Sequence, residues 1–350
     1  NAYFSSIDGV LYNKDQTVLL IYPQAKPDAT FEIPAHVTEL ARASFKFVND
    51  LSSLTFQTGS QINELPEDLF YHARIETVEI PTSVETISTR TFSYTINLEN
   101  IHVAENNPYF KSVNGILYDK NLTTLYVYPA NKTNTDYIVP ASVTHIMDFA
   151  FEEADHLTSI TFEAGSQLEV IGRLAFSDTR ITSITIPASV RIIKHKALKV
   201  SSLTSIIFEE DSQLEIIGSS AFMFGKFTTI EIPASVKSIG VDAFYGASDL
   251  TTITFEEGSQ LETIGESAFA LTGITSITIP ETVTTIEEHA FSRTPLTSII
   301  IPISVEYMGY NVFSTCSEDL IVYVEAASKP NNWHDNWLGV DATVEWDYQE

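Results

Sequence analysis

The sequence predicts a repeat solenoid of short parallel strands, and three observations predict it. A phrase of the form "IPxxV" recurs seven times, a second phrase, "FxxGSQLxxIG", alternates with it, and a phenylalanine returns at one fixed phase of nearly every unit. Self-similarity on this scale means that each unit cannot bury its apolar face alone and must stack on its neighbours.

The prolines of the first phrase, Pro34, Pro81, Pro140, Pro187, Pro233, Pro280 and Pro302, step by 47, 59, 47, 46, 47 and 22 residues. A step of 47 holds both phrases and the step of 22 holds one, so the unit is the shorter span. Each unit opens on a stretch such as "ITSITIP" or "LTTITF", whose alternating β-branched residues predict a short strand. Ile184 and Ile186 then face the core while Ser183 and Thr185 face outward, because side chains alternate along a strand. Proline closes the strand since it cannot donate a ladder hydrogen bond. A second short extended segment follows, and then a small helical turn is expected around "AF".

The residue of that turn is Phe45, Phe70, Phe92, Phe151, Phe176, Leu198, Phe222, Phe244, Phe269, Phe291 and Phe313. A large apolar side chain at one phase per coil predicts a continuous buried spine. A longer repetition overlies the short one: "NAYFSSIDGVLYNKDQTVLLIYPQAKPDATFEIPAHV" at 1–37 matches "NPYFKSVNGILYDKNLTTLYVYPANKTNTDYIVPASV" at 107–143. Its apolar runs flank a polar Asn-Lys-Asp turn, which predicts interposed β-hairpins at about 7–23 and 113–129. The first copy lacks the "LENIHVAEN" that precedes the second, so Asn1 falls inside a unit and a boundary upstream of it is expected.

The phrases "ITSITIPASV" and "IGxxAF", with the interposed "SxDGVLYNKDxTxLxxYP", resemble the BspA-like leucine-rich repeats of bacterial and protozoan surface proteins. The resemblance spans residues 1 to about 328. It implies a leucine-rich-repeat solenoid of the α/β horseshoe class, strand-rich with short helical turns, with a parallel β-sheet on the concave face. It also implies a secreted or surface-attached protein that adheres to a host or neighbouring-cell protein or glycan.

Composition narrows the partners. Nineteen basic against 46 acidic residues give a formal net charge of -27, which repels nucleic acid and anionic bilayers. No apolar run is long enough for a spanning helix, so membrane insertion is not expected. The single cysteine, Cys316, excludes an internal disulfide and reads as a small buried hydrophobe. The eight histidines are scattered without zinc-ligand spacing, and no cofactor or metal site is expected. The acid pairs Glu152–Glu153, Glu209–Glu210 and Glu256–Glu257 lack the ladder of a calcium loop. No nucleophile elbow, P-loop or dinucleotide fingerprint is present, so the chain is not read as an enzyme.

Serine and threonine dominate the outward strand positions, as expected of a solvated strand. Binding residues are therefore sought where that pattern is interrupted: Glu79, His102, Tyr126, Ile207, Glu231 and Ile300. His102 and Tyr126 are expected on neighbouring strands of one sheet. All three tryptophans fall in the last 30 residues, and Trp333, Trp337 and Trp346 are expected to cover the open end of the core as a C-terminal cap at 329–350. The resulting expectation is noncovalent recognition through the concave face, with a structural spacer and an enzyme-associated glycan-binding module as rivals.

Overall fold

The computed structural model describes residues 1–349 and forms two units, each a parallel β-solenoid without a helix among the described residues. The first comprises Asn1–Thr135, Ser142–Leu157 and Ala175–Thr179; the second comprises Asp136–Ala141, Thr158–Leu174 and the chain from Arg180 onward. A coil has three walls: a long strand of usually four residues, a short strand of two, and the turn segment that carries the phenylalanine.

In the first unit the long strands Thr30–Ile33, Ser53–Phe56, Thr77–Ile80 and Asn100–Val103 form one parallel sheet. Each repeated segment of 106-residue spacing is a three-stranded antiparallel meander, one strand more than the expected hairpin. Its strands are Phe4–Ile7, Val10–Asn13 and Val18–Ile21 in the first copy, and Phe110–Val113, Ile116–Asp119 and Thr124–Val127 in the second. The added strand is joined by Asp8-Gly9 and Asn114-Gly115, where both residues are left-handed (φ 48° and 84°, 51° and 79°). Left-handed φ at both central positions is what a tight hairpin turn demands, and Asp-Gly and Asn-Gly supply it most cheaply. The third strand, Thr124–Val127, then pairs in parallel with the short strand His145–Ile146.

In the second unit the short strands are the continuous wall. From Val170–Ile171 to Tyr307–Met308, seven of them pair in unbroken order among the described residues. The long strands do not form the single extended sheet that the repeat suggests. They pair as Asp136–Val139 with Ser159–Phe162, Ser183–Ile186 with Ser205–Phe208, and Thr229–Ile232 with Thr252–Phe255. Only Ser276–Thr278, Ser298–Ile301, Ile321–Val324 and Thr343–Trp346 run on as four.

Turn length explains the breaks. The proline turn puts five residues between Ile186 and Ile192, whereas the "EEDSQLE" turn puts seven between Phe208 and Ile216. Pairing lapses after each long-turn coil and persists where two short-turn coils follow one another. In the first unit the same site keeps only Ser53↔Thr77 and Leu54↔Val78 in register.

The segment around "AF" is not helical. It carries left-handed residues two positions before and after the phenylalanine, as at Ser220 (φ 54°) and Phe224 (φ 62°) around Phe222. This alternation aims every second amide at the next coil: Phe222 N–H donates to Ala243 O (2.8 Å) and Phe224 N–H to Tyr245 O (3.0 Å). A helix would spend those amides on itself, so the turn instead becomes a third hydrogen-bonded wall.

The spine forms as expected. Phe222, Phe244, Phe269, Phe291 and Phe313 are fully buried, and successive ring centroids lie 5.3, 5.3, 5.5 and 5.7 Å apart. In the first unit Tyr22 and Tyr128, at the ends of the meanders, join the spine by stacking on Phe45 (5.3 Å) and Phe151 (5.1 Å). Cys316 is buried, with its thiol 3.2 Å from Phe291 O, and burial pushes its pKa up.

Much of the repeated polarity serves the backbone. Ser189, Ser235 and Thr282 each donate to two carbonyls of the preceding coil. Glu209 and Glu256 accept from the Ala188 (3.0 Å) and Ala234 (2.9 Å) amides at the proline turn. One acid of each of these pairs is therefore a cap for an otherwise unpaired amide.

Candidate functional site

The outward positions of the long strands alternate as expected, with buried Ile184, Ile230 and Ile253 between exposed Ser183, Thr185, Thr229, Glu231, Thr252 and Thr254. Five of the six residues singled out in the sequence lie on such positions, and they are not gathered into one place. In the first unit Glu79 and His102 stand opposite each other on the paired strands Thr77–Ile80 and Asn100–Val103. In the second, Ile207 is 56% exposed opposite Thr185, Glu231 stands opposite Thr254, and Ile300 stands between Thr278 and Tyr323.

Tyr126 is elsewhere. It belongs to the meander strand Thr124–Val127, which joins the short-strand wall, so it is not on a strand neighbouring His102. Its ring packs edge-on against Phe110 at 5.3 Å and is half-buried. The meander strand matches the long strands in composition, which is why the sequence places it on the wrong wall.

The outward face of the second unit holds a groove of about 470 Å³. Its floor is Thr252, Thr254, Ser276, Thr278, Ser298 and Ile300, and Tyr323 and Tyr348 form its end. The two tyrosine rings lie 4.6 Å apart, tilted by 45°. The groove straddles the place where Thr252–Phe255 and Ser276–Thr278 are not paired as strands, so the seven-residue turn that breaks the ladder also opens the groove. Hydroxyls, isoleucines and two phenol rings make a surface suited to hydrogen bonding and to flat apolar contact; no acid or base lines it.

Of the sequence candidates, Ile300 alone lines this groove. Tyr323 was legible: "LIVYV" at 320–324 repeats the strand pattern and puts Tyr323 in the slot of Ile300. Tyr348 was not, because it follows the last strand.

The tryptophans pack together, with centroids 5.0 Å (Trp333–Trp337), 6.0 Å (Trp333–Trp346) and 6.3 Å (Trp337–Trp346) apart. Trp337 meets the end of the spine, 6.1 Å from Phe313, and its carbonyl accepts from Val312 N–H. Trp333 Nε1 donates to Val305 O at 3.1 Å. Trp337→Ala is therefore expected to cost about 3 kcal/mol, read as a lower melting temperature, with ligand binding at low temperature unchanged. Unchanged melting with lost glycan binding would reverse that assignment.

No cluster of three or more His, Cys, Asp or Glu side chains capable of holding a metal occurs among the described residues. No helix among them is long and apolar enough to cross a membrane.

Comparison with known proteins settles the family. The BspA type leucine rich repeat region matches residues 28–135, 126–224 and 215–328, in six copies. The chain belongs to the BspA-type leucine-rich repeat family. The fold of this BspA-type chain is also that of a leucine-rich repeat protein from Eubacterium ventriosum, with a TM-score of 0.64 and 20% identity over 84% of this chain and 93% of that one. A leucine-rich repeat protein from Bacteroides ovatus aligns with a TM-score of 0.43 and 18% identity, over 98% of this chain and 97% of that one. The pneumococcal vaccine antigen PcpA aligns with a TM-score of 0.42 and 19% identity, over 91% of this chain and 68% of that one. No curated protein matches the BspA-type chain in sequence.

Proposed function

We propose that the chain is a noncovalent recognition protein acting outside the cell, and that it holds a host or neighbouring-cell protein or glycan against the outward face of its long strands. The observation that carries this reading is the groove between Thr252 and Tyr348. Its paired phenol rings offer large, rigid contact surfaces, and its threonine and serine rows supply hydroxyls already fixed by the strands. The repeat does not require aromatic residues there, since the same outward slots carry Thr185, Glu231 and Thr254 in other coils. Family membership supports a role in interaction.

The test is an array of matrix proteins and glycans probed with the wild-type chain and with Tyr323→Ala. Saturable binding to at least one component is expected, weakened about tenfold or more in the variant, as for loss of an aromatic anchor. Silence across the array would favour a structural spacer. Product formation from an array component would favour an enzyme.

A further inference from the structure

We propose that a second site, on the turn wall of the second unit, binds a single anionic sugar residue. The site is a pocket of about 250 Å³ bounded by the turn segments of successive coils. Tyr245 forms one side, and Ser267, His289, Ser292, Arg293 and Ser314 supply its polar groups. None of its lining residues is an aspartate or glutamate, although the chain carries 46 acids against 19 bases.

Arg293 gives the pocket its sign. Its side chain is exposed, and its guanidinium makes no ion pair among the described residues. Its backbone is left-handed, at φ 59°, in the slot that the adjoining coils fill with Leu271 and Thr315.

Behind it lies a preformed polar chain. The Ser292 hydroxyl, itself buried, donates to Ser314 O (3.0 Å), the Ser292 and Ser314 hydroxyls are 2.8 Å apart, and His289 Nδ1 lies 3.3 Å from Ser314 Oγ. A guanidinium grips a carboxylate or sulfate through two parallel hydrogen bonds. The hydroxyls and imidazole match the alcohol groups of a sugar ring, and the half-buried face of Tyr245 matches its C–H surface. The volume has room for one such ring rather than a chain. The site is independent of the groove: it lies on a different wall and shares no lining residue with it.

Calorimetry on the full chain with glucuronate, N-acetylneuraminate and glucose 6-sulfate, beside neutral glucose, tests this. One or more of the acidic sugars is expected to bind at one site per chain, about tenfold or more above glucose. Arg293→Gln should abolish that preference, Arg293→Lys should retain part of it, and Tyr323→Ala should leave it intact. Which acid binds distinguishes a carboxylated from a sulfated ligand. The proposal is overturned if none of the three binds saturably, if glucose binds equally well, or if Arg293→Gln, folded to the wild-type melting temperature, keeps full affinity.

Discussion

Replacing Phe244 with alanine will destabilise the second unit by about 3 to 5 kcal/mol, the cost of truncating a fully buried ring. Phe244 is 0% exposed and is sandwiched between Phe222 and Phe269, each with its centroid 5.3 Å away. The flanking rings belong to hydrogen-bonded coils and cannot collapse into the gap, since Phe222 N–H is tied to Ala243 O and Phe244 N–H to Ala268 O at 2.8 Å each. Phe244→Leu should cost only about 1 kcal/mol, because the fold already accepts Leu198 at the same phase. Denaturant titration of both variants checks the pair. An alanine variant within 1 kcal/mol of the leucine variant, on the order of the measurement error, would contradict a packed spine.

The second large effect is a dependence on pH centred on Glu152. In regular coils the amide two residues past the spine phenylalanine donates to the next coil, as Phe47 N–H does to Tyr71 O (3.0 Å). After Phe92 the chain enters the meander, which returns at Tyr128-Pro129 and brings no equivalent carbonyl to Tyr94. The Glu152 side chain reaches in instead, its Oε2 accepting from Tyr94 N–H at 3.3 Å. Glu152 is 7% exposed beside a cavity of about 20 Å³. Burial, with Glu153 and Asp178 nearby, pushes its pKa up to about 7 despite the Tyr94 bond, which acts the other way.

A carboxyl whose folded pKa exceeds its unfolded value stabilises the fold in acid and loses that contribution as pH rises. Here the loss runs from the ordinary value of 4.5 to about 7. It amounts to roughly 3 kcal/mol once complete. Glu152→Gln keeps an acceptor for Tyr94 and removes the charge. The variant should therefore match the wild type at pH near 4 and melt higher than it at pH near 8, with a flatter profile between. Parallel melting curves across that range, with no gap opening at alkaline pH, would contradict the assignment. The first repeat has Lys46 in this slot, where its ammonium lies over Phe47 (4.9 Å) and Tyr71 (4.8 Å).

The coil itself was legible because apolar phase is a direct consequence of burial. The Ile184-type strand residues and the phenylalanine spine stand where their periodicity puts them. Composition misleads where two conformations satisfy the same burial pattern. "AF" suits a helix as well as a turn, and only the left-handed residues around it, such as Ser220 and Phe224, decide between them. Neither is a glycine, so the usual signal is missing.

The candidate site was less legible for a related reason. Ile300 and Tyr323 are visible as interruptions of a polar row, but the groove depends on a lapse in strand pairing, which comes from turn length rather than residue type. Tyr126 has the local pattern of an outward residue and is turned toward Phe110 by pairing to the short-strand wall. Ser189, Ser235, Glu209 and Glu256 stand out as polar repetition, yet their partners lie one coil away, so their backbone role emerges only in three dimensions.

The most direct test of recognition by the long-strand face is hydrogen exchange of the chain with and without the best-binding component of the array. Protection is predicted over Thr252–Phe255, Ser276–Thr278, Ser298–Ile301 and Ile321–Val324, with the turn segments around Phe269 and Phe291 unchanged. Protection confined to other segments, with these four strands unaltered, would contradict it.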